Sequence, residues 1–191
     1  MPSASSAAGI LLAAGAGTRY GMPKVLAEQG DWLRAGVAAL HSGGCDEVVV
    51  VLGAAIVAVP APARAVIAAE WATGLSASLR AGLAAVGTAD HAVLHTVDTP
   101  DVGADVVRRV LAAARAAPSG LARAHYRGRP GHPVVLAHQH WSDLLKQLHG
   151  DEGARSFLQS RSDVLAVECV DLATGQDVDE RNHRRPRVAE V

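Results

Sequence analysis

The stretch "LLAAGAGTRYGMPK", residues 11–24, breaks an apolar run with three glycines and ends on a lysine. The apolar residues favour a buried strand, and the glycines favour a loop whose backbone N–H groups can approach an anion. Three residues, instead of two, separate Gly17 from Gly21, which excludes the dinucleotide-binding pattern. Val25 follows Lys24 where the P-loop of ATPases needs a hydroxyl residue. The stretch therefore predicts a phosphate-binding loop of a third kind.

The bulk composition predicts one layered domain over residues 1–191. A chain of 191 residues suffices for one substantial core, and its composition of 49% hydrophobic but only 3% aromatic residues calls for small aliphatic side chains in that core. The net charge of −1 provides no global basic field for nucleic acid or an anionic membrane. We expect the arginine-rich tail, residues 181–191, to be solvated and to bind neither.

The two cysteines and the start of the chain predict a cytoplasmic protein without a membrane partner. Cys45 and Cys169 lack a C-x-x-C spacing and lie beside predicted strands, which favours buried reduced thiols over a disulfide or a metal site. No apolar run approaches the length of a membrane span, and the leader has no basic region before its first apolar stretch.

Hydrophobic periodicity predicts alternating strands and helices, and hence a three-layer α/β/α fold with a mostly parallel, mixed sheet. We predict strands at residues 9–14, 46–53, 64–70, 91–100, 120–126, 133–137 and 163–171, the fifth and sixth forming an antiparallel pair around a turn at 127–133. Helices are predicted at 31–41, 79–86, 103–117, 140–148 and 153–159, the second one capped by Ser76 or Ser78. Asp98 then lies at the carboxyl end of a buried strand, where ligands bind in such sheets.

Lysine usage draws attention to one position of the opening loop. Arginine outnumbers lysine 16 to two, and the two lysines are Lys24 and Lys146. A compact ammonium on a flexible stem can follow a phosphate as charge moves, which gives a phosphate loop a reason to use Lys24. The alternative, a solvated surface lysine, suits Lys146 on its predicted helix.

The segment "LAAGAGTRYGMPK" resembles the signature of the MobA-like nucleotidyltransferases, usually Leu-Ala-Ala-Gly-x-x-x-Arg-Met-Gly-x-x-Lys, with Tyr20 at the methionine position. The resemblance continues over residues 9–179 and implies a Rossmann-like fold. In that family the loop wraps the triphosphate of an NTP. It implies that Arg19 and Lys24 are catalytic cations and that the nucleotide contacts Leu12, Ala13, Ala14, Gly15, Gly17 and Lys24.

A second segment, "WATGLSASLRAGL", resembles the Trp-x-x-Gly-x-x-x-Ser-Leu segment of the molybdenum-cofactor cytidylyltransferase branch. The resemblance implies that Gly74, Ser76 and Ser78 contact the nucleoside. The alternative, that either serine only caps a helix, stays open.

Two acidic segments resemble the family's metal ligands. "VDTP" matches a strand-end Asp-x-Pro, which implies that Asp98 binds Mg²⁺; Thr99 replaces the branch's usual glutamine. "GQDVDERNH" resembles the terminal Asp-Ile-Asp-Thr-Pro-Glu-Asp and implies Asp179 as the second ligand, with Asp177 as the alternative. The competing interpretation is that Asp98 only forms a turn or caps a helix.

Two further segments resemble the acceptor side of the same branch. "YRGRPGHPVVL" and "GDEGARSFL" match its Gly-x-Pro-Gly-His-Pro and Gly-Asp-x-Gly-Ala-Arg segments. The substrate-binding residues implied are Pro100, Gly131, His132, Pro133 and Arg155. A turn histidine and a helix-surface arginine are the alternatives for two of them. The other histidines lack the spacing of a transition-metal site.

Together the resemblances imply a Mg²⁺-dependent transfer of CMP from CTP to the phosphate of molybdopterin or the molybdenum cofactor, with release of pyrophosphate. Transfer from GTP or another NTP, to the same cofactor or to a sugar or alcohol phosphate, remains an alternative. A further alternative is a non-catalytic chaperone that carries the cofactor to a molybdenum hydroxylase.

Overall fold

The computed structural model describes residues 5–180, in which strands and helices alternate. The strands are β1 (Ala7–Leu12), β2 (Glu47–Leu52), β3 (Arg64–Ile67), β4 (His91–Thr96), β5 (Leu121–Tyr126), β6 (Arg129–Ala137) and β7 (Leu165–Glu168). The α-helices are α1 (Asp31–Ser42), α2 (Leu75–Ala85), α3 (Ala104–Ala116), α4 (Trp141–Gln147) and α5 (Arg155–Gln159). Short 3-10 segments occupy Lys24–Gly30, Trp71–Thr73 and His138–His140.

The seven strands form one sheet in the order β3-β2-β1-β4-β6-β5-β7. Strand β6 runs antiparallel to β4 and β5, whereas the other neighbours are parallel. All six residues of β1 are buried, because this strand lies inside the sheet and helices cover both of its faces. The predicted mostly parallel, mixed α/β sheet is confirmed.

Two hydrophobic clusters fill the space on the two faces of the sheet. The first packs α1 and α3 against one face, through residues such as Val37 and Val110. The second packs α2, α4 and α5 against the other face, through Leu79, Leu144 and Phe157. The three layers are therefore helix, sheet and helix.

Both cysteines are buried free thiols, as predicted. Burial raises the pKa of Cys45 to about 12, with a smaller contribution from the negative charge of Asp46, so this thiol stays protonated. Within residues 5–180 every helix is too short or too polar to cross a membrane. The predicted arginine-rich tail, residues 181–191, lies outside the described residues.

Several predicted boundaries were wrong. β6 begins at Arg129, so most of the predicted turn at 127–133 is strand. The registered pairing with β4 starts only at Val134, so Pro130 and Pro133 lie where no ladder bond to β4 needs their missing N–H. The fourth strand ends at Thr96, and Asp98 therefore lies in the loop just beyond it.

The predicted serine cap of α2 was also wrong. Gly74 occupies the N-cap position, and no side chain there bonds a helix N–H. Ser76 and Ser78 lie inside the first turns and are buried. The N–H of Ser76 instead donates to the carbonyl of Gly150 at 3.0 Å, so a distant loop satisfies this end of the helix.

Candidate active site

A cleft of about 600 Å³ opens at the carboxyl ends of β1 and β4. In the sheet, β1 lies between β2 on one side and β4 on the other, so the strand order reverses at β1. The cleft lies at this point, where ligands bind in such sheets. Its lining includes residues 12–20, Lys24, Trp71, Gly74, Ser78, Thr96, Asp98, Asp151 and Asp179. Of the predicted nucleotide contacts, the lining thus brings together all except Ser76.

The glycine-rich loop is built around a backbone conformation that suits glycine. Gly17 has φ of +61°, and a Cβ there would lie 1.9 Å from the carbonyl oxygen of Met22. The N–H of Gly21 closes the turn by donating to the carbonyl of Gly17 at 2.8 Å. Tyr20 is buried, with its ring centroid 5.3 Å from that of Trp32 in α1. The tyrosine thus anchors the loop to the helix layer.

Lys24 lies between two carboxylates at the mouth of the loop. Its Nζ is 2.9 Å from Oδ2 of Asp98 and 3.0 Å from Oδ1 of Asp179. Burial opposes the ammonium charge, but the hydrogen bonds that the ammonium donates to these two carboxylates outweigh it and raise the pKa of Lys24. Nη1 of Arg19 lies 3.7 Å from the same Asp179, with the arginine side chain exposed to solvent. The cations and carboxylates implied by the resemblance therefore form one network.

The two carboxylates come from distant parts of the chain. The N–H of Val178 donates to the carbonyl of Asp98 at 2.9 Å, which fixes the C-terminal segment against the end of β4. The hydrogen bond from Lys24 lowers the pKa of Asp179. Burial, followed by the negative charges of Asp98 and Asp179, raises the pKa of Asp177. Asp177 thus lies close to the pair without bonding Lys24.

The donor set of this site fits Mg²⁺ or Mn²⁺. Asp98 and Asp179 already converge on one cation, the ammonium of Lys24. Mg²⁺ is commonly bound by one or two carboxylates together with waters and substrate phosphates. Residues 5–180 contain no group of three or more His, Cys, Asp or Glu side chains that could hold a metal. The two aspartates therefore suit a metal ion that arrives with nucleotide phosphates.

The predicted nucleoside end of the cleft joins two loops that are far apart in sequence. Gly74 has φ of +124°, and a Cβ there would lie 2.3 Å from the carbonyl carbon of Gly150. This close approach brings Asp151 into the lining beside Ser78 and Trp71. Asp151 was not among the predicted site residues, although it follows Gly150 in the quoted "GDEGARSFL" segment. Trp71, the first residue of the "WATGLSASLRAGL" segment, also lines the cleft, and the resemblance implied no contact for it.

The predicted acceptor residues are not among the residues that line this cleft. The N-terminal part of the antiparallel β6 carries Gly131, His132 and Pro133 toward the end of β4. The hydroxyl of Tyr126 donates to the carbonyl of His132 at 2.7 Å, and Nε of Arg123 donates to the carbonyl of Gly131 at 3.0 Å. Two side chains of β5 thus fix the backbone of this segment.

His132 is neutral in this environment. Burial and, next, the positive charge of Arg123 lower the pKa of His132 to about 4, against the opposing effect of Asp98. Its ring therefore offers one N–H donor and one acceptor nitrogen near neutral pH. Arg155, the first residue of α5, is exposed.

The loop after β4 explains how a threonine is accommodated in "VDTP". Thr99 is 1% exposed, and its hydroxyl donates to the carbonyl of Thr96 at 3.0 Å. The side chain therefore closes the turn below Asp98 and does not face the cleft. Pro100 follows it, half-buried, in the loop that leads to α3.

Comparisons with known proteins agree with this geometry. A family model described as the MobA-like NTP transferase domain matches residues 9–164. The nicotine blue oxidoreductase of Paenarthrobacter nicotinovorans is 37% identical over 187 residues, covering 90% of this chain and 91% of that protein.

Solved structures of Rv0371c from Mycobacterium tuberculosis H37Rv are similar over nearly the whole chain. One is 28% identical with a TM-score of 0.74, covering 93% of this chain and 95% of that one. Another, a complex with manganese, is 26% identical with a TM-score of 0.66, covering 91% and 94%. The fold, the glycine-rich loop and these matches agree: the chain belongs to the MobA-like NTP transferase family of nucleotidyltransferases.

Proposed function

We propose that this nucleotidyltransferase moves CMP from CTP onto the phosphate of molybdopterin or the molybdenum cofactor, with Mg²⁺ as the metal ion. The observation that carries the proposal is Lys24, whose Nζ lies within hydrogen-bonding distance of both Asp98 and Asp179 at the mouth of the glycine-rich loop. Cations and metal-binding carboxylates meet there at the place where a triphosphate would lie. The branch-specific segments around His132 and Arg155 support the choice of acceptor.

The residues of the loop supply binding and charge stabilisation. Its backbone N–H groups face the phosphates, and Lys24 and Arg19 can turn from the carboxylates toward phosphate oxygens. Asp98 and Asp179 would hold Mg²⁺, which supplies charge neutralisation on the phosphates when bound. The protein needs no general base, because the attacking phosphate of the acceptor is already anionic near neutral pH. Attack of that oxygen on the α-phosphorus releases pyrophosphate.

The nucleoside and acceptor would occupy opposite sides of Asp98. Ser78, Gly74 and the first turn of α2 offer polar groups to the ribose and base, and we keep the predicted contact of Ser76 as part of this proposal. Gly131, His132, Pro133, Pro100 and Arg155 would face the acceptor. Reduced, buried thiols suit a cytoplasmic enzyme, from which a molybdenum hydroxylase would receive the product.

Transfer of label tests this proposal. Purified protein, Mg²⁺ and molybdenum-loaded molybdopterin are incubated in parallel with CTP, GTP, ATP and UTP, each labelled at the α-phosphate. The proposal predicts label on the acceptor with CTP only. Label from another nucleotide would favour that nucleotide as the donor. No label from any of the four, with the cofactor still bound, would favour the chaperone.

A second candidate function comes from the relative named nicotine blue oxidoreductase, which is 37% identical to this chain. An oxidoreductase needs an electron donor. A reduced nicotinamide dinucleotide could place its diphosphate against the same loop amides, although the loop lacks the glycine spacing of the usual dinucleotide-binding pattern. This candidate predicts oxidation of NADH or NADPH that depends on nicotine blue. The absorbance of the reduced nicotinamide measures it, and a steady absorbance would exclude the candidate for these donors.

A further inference from the structure

Arg123, an arginine of the central sheet, has no carboxylate partner in the described part of the chain. Arg123 lies on β5 with its side chain only partly exposed, and it forms no salt bridge within residues 5–180. The other arginines in this part of the chain are either exposed or paired with an aspartate, as Arg109 is with Asp171 and Arg161 with Asp163. A partly buried cation without a counter-charge is costly, which suggests that the counter-charge belongs to a ligand.

The guanidinium of Arg123 lies toward the edge of the sheet that carries the cleft. Its Nε donates to the carbonyl of Gly131, near the start of β6. The antiparallel register pairs Leu94 of β4 with Val134 of β6, so the residues of β6 that precede Val134 run toward the carboxyl end of β4. Arg123 therefore extends toward the strand end that precedes Asp98.

The same face of the sheet carries both Arg123 and the nucleoside end of the cleft. Ala122 and Ala124 pack into the cluster beneath α1 and α3, so Arg123, between them, projects to the face covered by α2 and α5. Burial and, next, the positive charge of Arg155 on α5 lower the pKa of Arg123. Helix α5, which begins at Arg155, packs on this same face of the sheet through Phe157.

His132 connects this pair to the metal-binding carboxylates. It directly follows Gly131, whose carbonyl accepts the hydrogen bond from Arg123, and it lies in the part of β6 that runs toward the carboxyl end of β4, which Asp98 follows. A phosphate above His132 would therefore meet Arg123 while remaining near Asp98. The Nη groups of the guanidinium have no partner within residues 5–180 and present a planar fork to such an anion.

We propose that Arg123 is a substrate-binding residue that, together with Arg155, receives the phosphate monoester of the acceptor beside Asp98. The identity of the acceptor rests on the proposed function, whereas the anion chemistry rests on Arg123 itself. Because Nε is already bonded to Gly131, the guanidinium is oriented before the acceptor binds.

Binding of inorganic phosphate tests the proposal directly. The nucleotide cleft is first saturated with a non-hydrolysable CTP analogue and Mg²⁺, and phosphate is then titrated calorimetrically into the wild type, Arg123→Gln and Arg123→Lys. We expect Arg123→Gln to weaken phosphate binding about 10- to 100-fold, the loss typical of one charge-assisted contact. Arg123→Lys retains the charge but loses the planar guanidinium, so it should weaken phosphate binding less than Arg123→Gln does. The dissociation constant for CTP changes less than about twofold.

Arg115→Gln is the matched control. Arg115 is exposed and also bonds a backbone carbonyl, that of Ser5, without a carboxylate partner. We expect this variant to bind phosphate like the wild type. Without ligand, the melting temperature of Arg123→Gln should equal or exceed that of the wild type, because a partly buried, unpaired charge has been removed.

Three results would overturn the proposal. These are a wild type that does not bind phosphate, unchanged phosphate binding in folded Arg123→Gln, and equal losses of CTP and phosphate binding with a lower melting temperature. Failure of the proposed function looks different: the wild type then transfers no CMP to molybdopterin, while phosphate binding still depends on Arg123.

Discussion

Replacing Lys24 with methionine separates the two tasks that the structure gives this side chain. Methionine retains an apolar stem of similar length but removes the ammonium that lies 2.9 Å from Asp98 and 3.0 Å from Asp179. The two carboxylates then lose the cation that pairs them. Nucleotidyl transfer should be lost, whereas the affinity of the ligand-free protein for a divalent cation should rise, because the ammonium no longer competes for the carboxylates.

The structure sets the size of both effects. The side chains of Lys24, Asp98 and Asp179 are 14%, 25% and 48% exposed, so the network is intermediate between a surface pair and a buried one. Exposed pairs contribute about 0.2–1 kcal/mol, and breaking a buried pair costs about 3–5 kcal/mol. We expect a loss of about 1–2 kcal/mol in the free energy of unfolding, or roughly 3–6 °C in melting temperature. In the wild type Mn²⁺ must displace the ammonium from the carboxylates, at a cost of about the same 1–2 kcal/mol. Without the ammonium, the dissociation constant for Mn²⁺ should fall about 5- to 30-fold.

Calorimetric titration of Mn²⁺ into the ligand-free variants measures this change. Lys146→Met is the matched control, because Lys146 is the other lysine of the chain and its pair with Asp143 is exposed on α4. The control should bind Mn²⁺ like the wild type and retain activity. Equal or weaker Mn²⁺ binding by folded Lys24→Met would show that the ammonium does not compete for these carboxylates, and the reasoning would be refuted.

Three other predictions concern the glycine-rich loop, the carboxylates and His132. Gly17→Ala places a Cβ against a backbone carbonyl at 1.9 Å, so the KM for CTP should rise at least about tenfold, whereas Gly103→Ala, with nothing within 4 Å of its Cβ, should not change it. Asp179→Asn should lower kcat about 100-fold or more and Asp177→Asn less than about tenfold in steady-state assays, because Asp179, unlike Asp177, bonds the ammonium of Lys24. Folding lowers the pKa of His132 from about 6.5 to about 4, so protons bind the unfolded chain more readily than the folded protein. The contribution of neutral His132 to the free energy of unfolding is therefore complete above pH about 6.5 and is lost as the pH falls toward 4. Denaturant unfolding of folded His132→Gln should therefore depend less on pH over this range than that of the wild type, and an identical dependence would contradict the assignment.

Periodicity and strand-end chemistry predicted most of the fold. The buried β-branched run of β2 and the apolar runs of β1 and β4 indicated parallel central strands, and the sheet has them. The predicted turn does join the antiparallel β5 and β6, but its extent over 127–133 was wrong, because Pro130 and Pro133 favour a turn locally whereas β6 already begins at Arg129. The strand tolerates the two prolines because β6 extends beyond its pairing with β4, so no hydrogen bond to β4 needs their missing N–H groups. That extension is a property of the whole sheet.

The candidate site was predictable in composition but not in contacts. The motif resemblance singled out Lys24, Asp98 and Asp179, yet their pairing spans 74 and 155 residues and depends on the finished fold. Asp151 enters the lining only because Gly74 approaches Gly150 closely. Such long-range contacts have no periodic signal in the sequence.

Release of pyrophosphate is the most direct test of the central claim that Lys24, Asp98 and Asp179 form a nucleotidyl-transfer site. Wild type, Asp98→Asn and Lys146→Met are incubated with CTP, Mg²⁺ and molybdenum-loaded molybdopterin, and pyrophosphate is measured over time. We predict release by the wild type and Lys146→Met that depends on both Mg²⁺ and the acceptor, and its loss in Asp98→Asn. Release that persists in folded Asp98→Asn, or its absence in the wild type with all four nucleotides, would contradict the account.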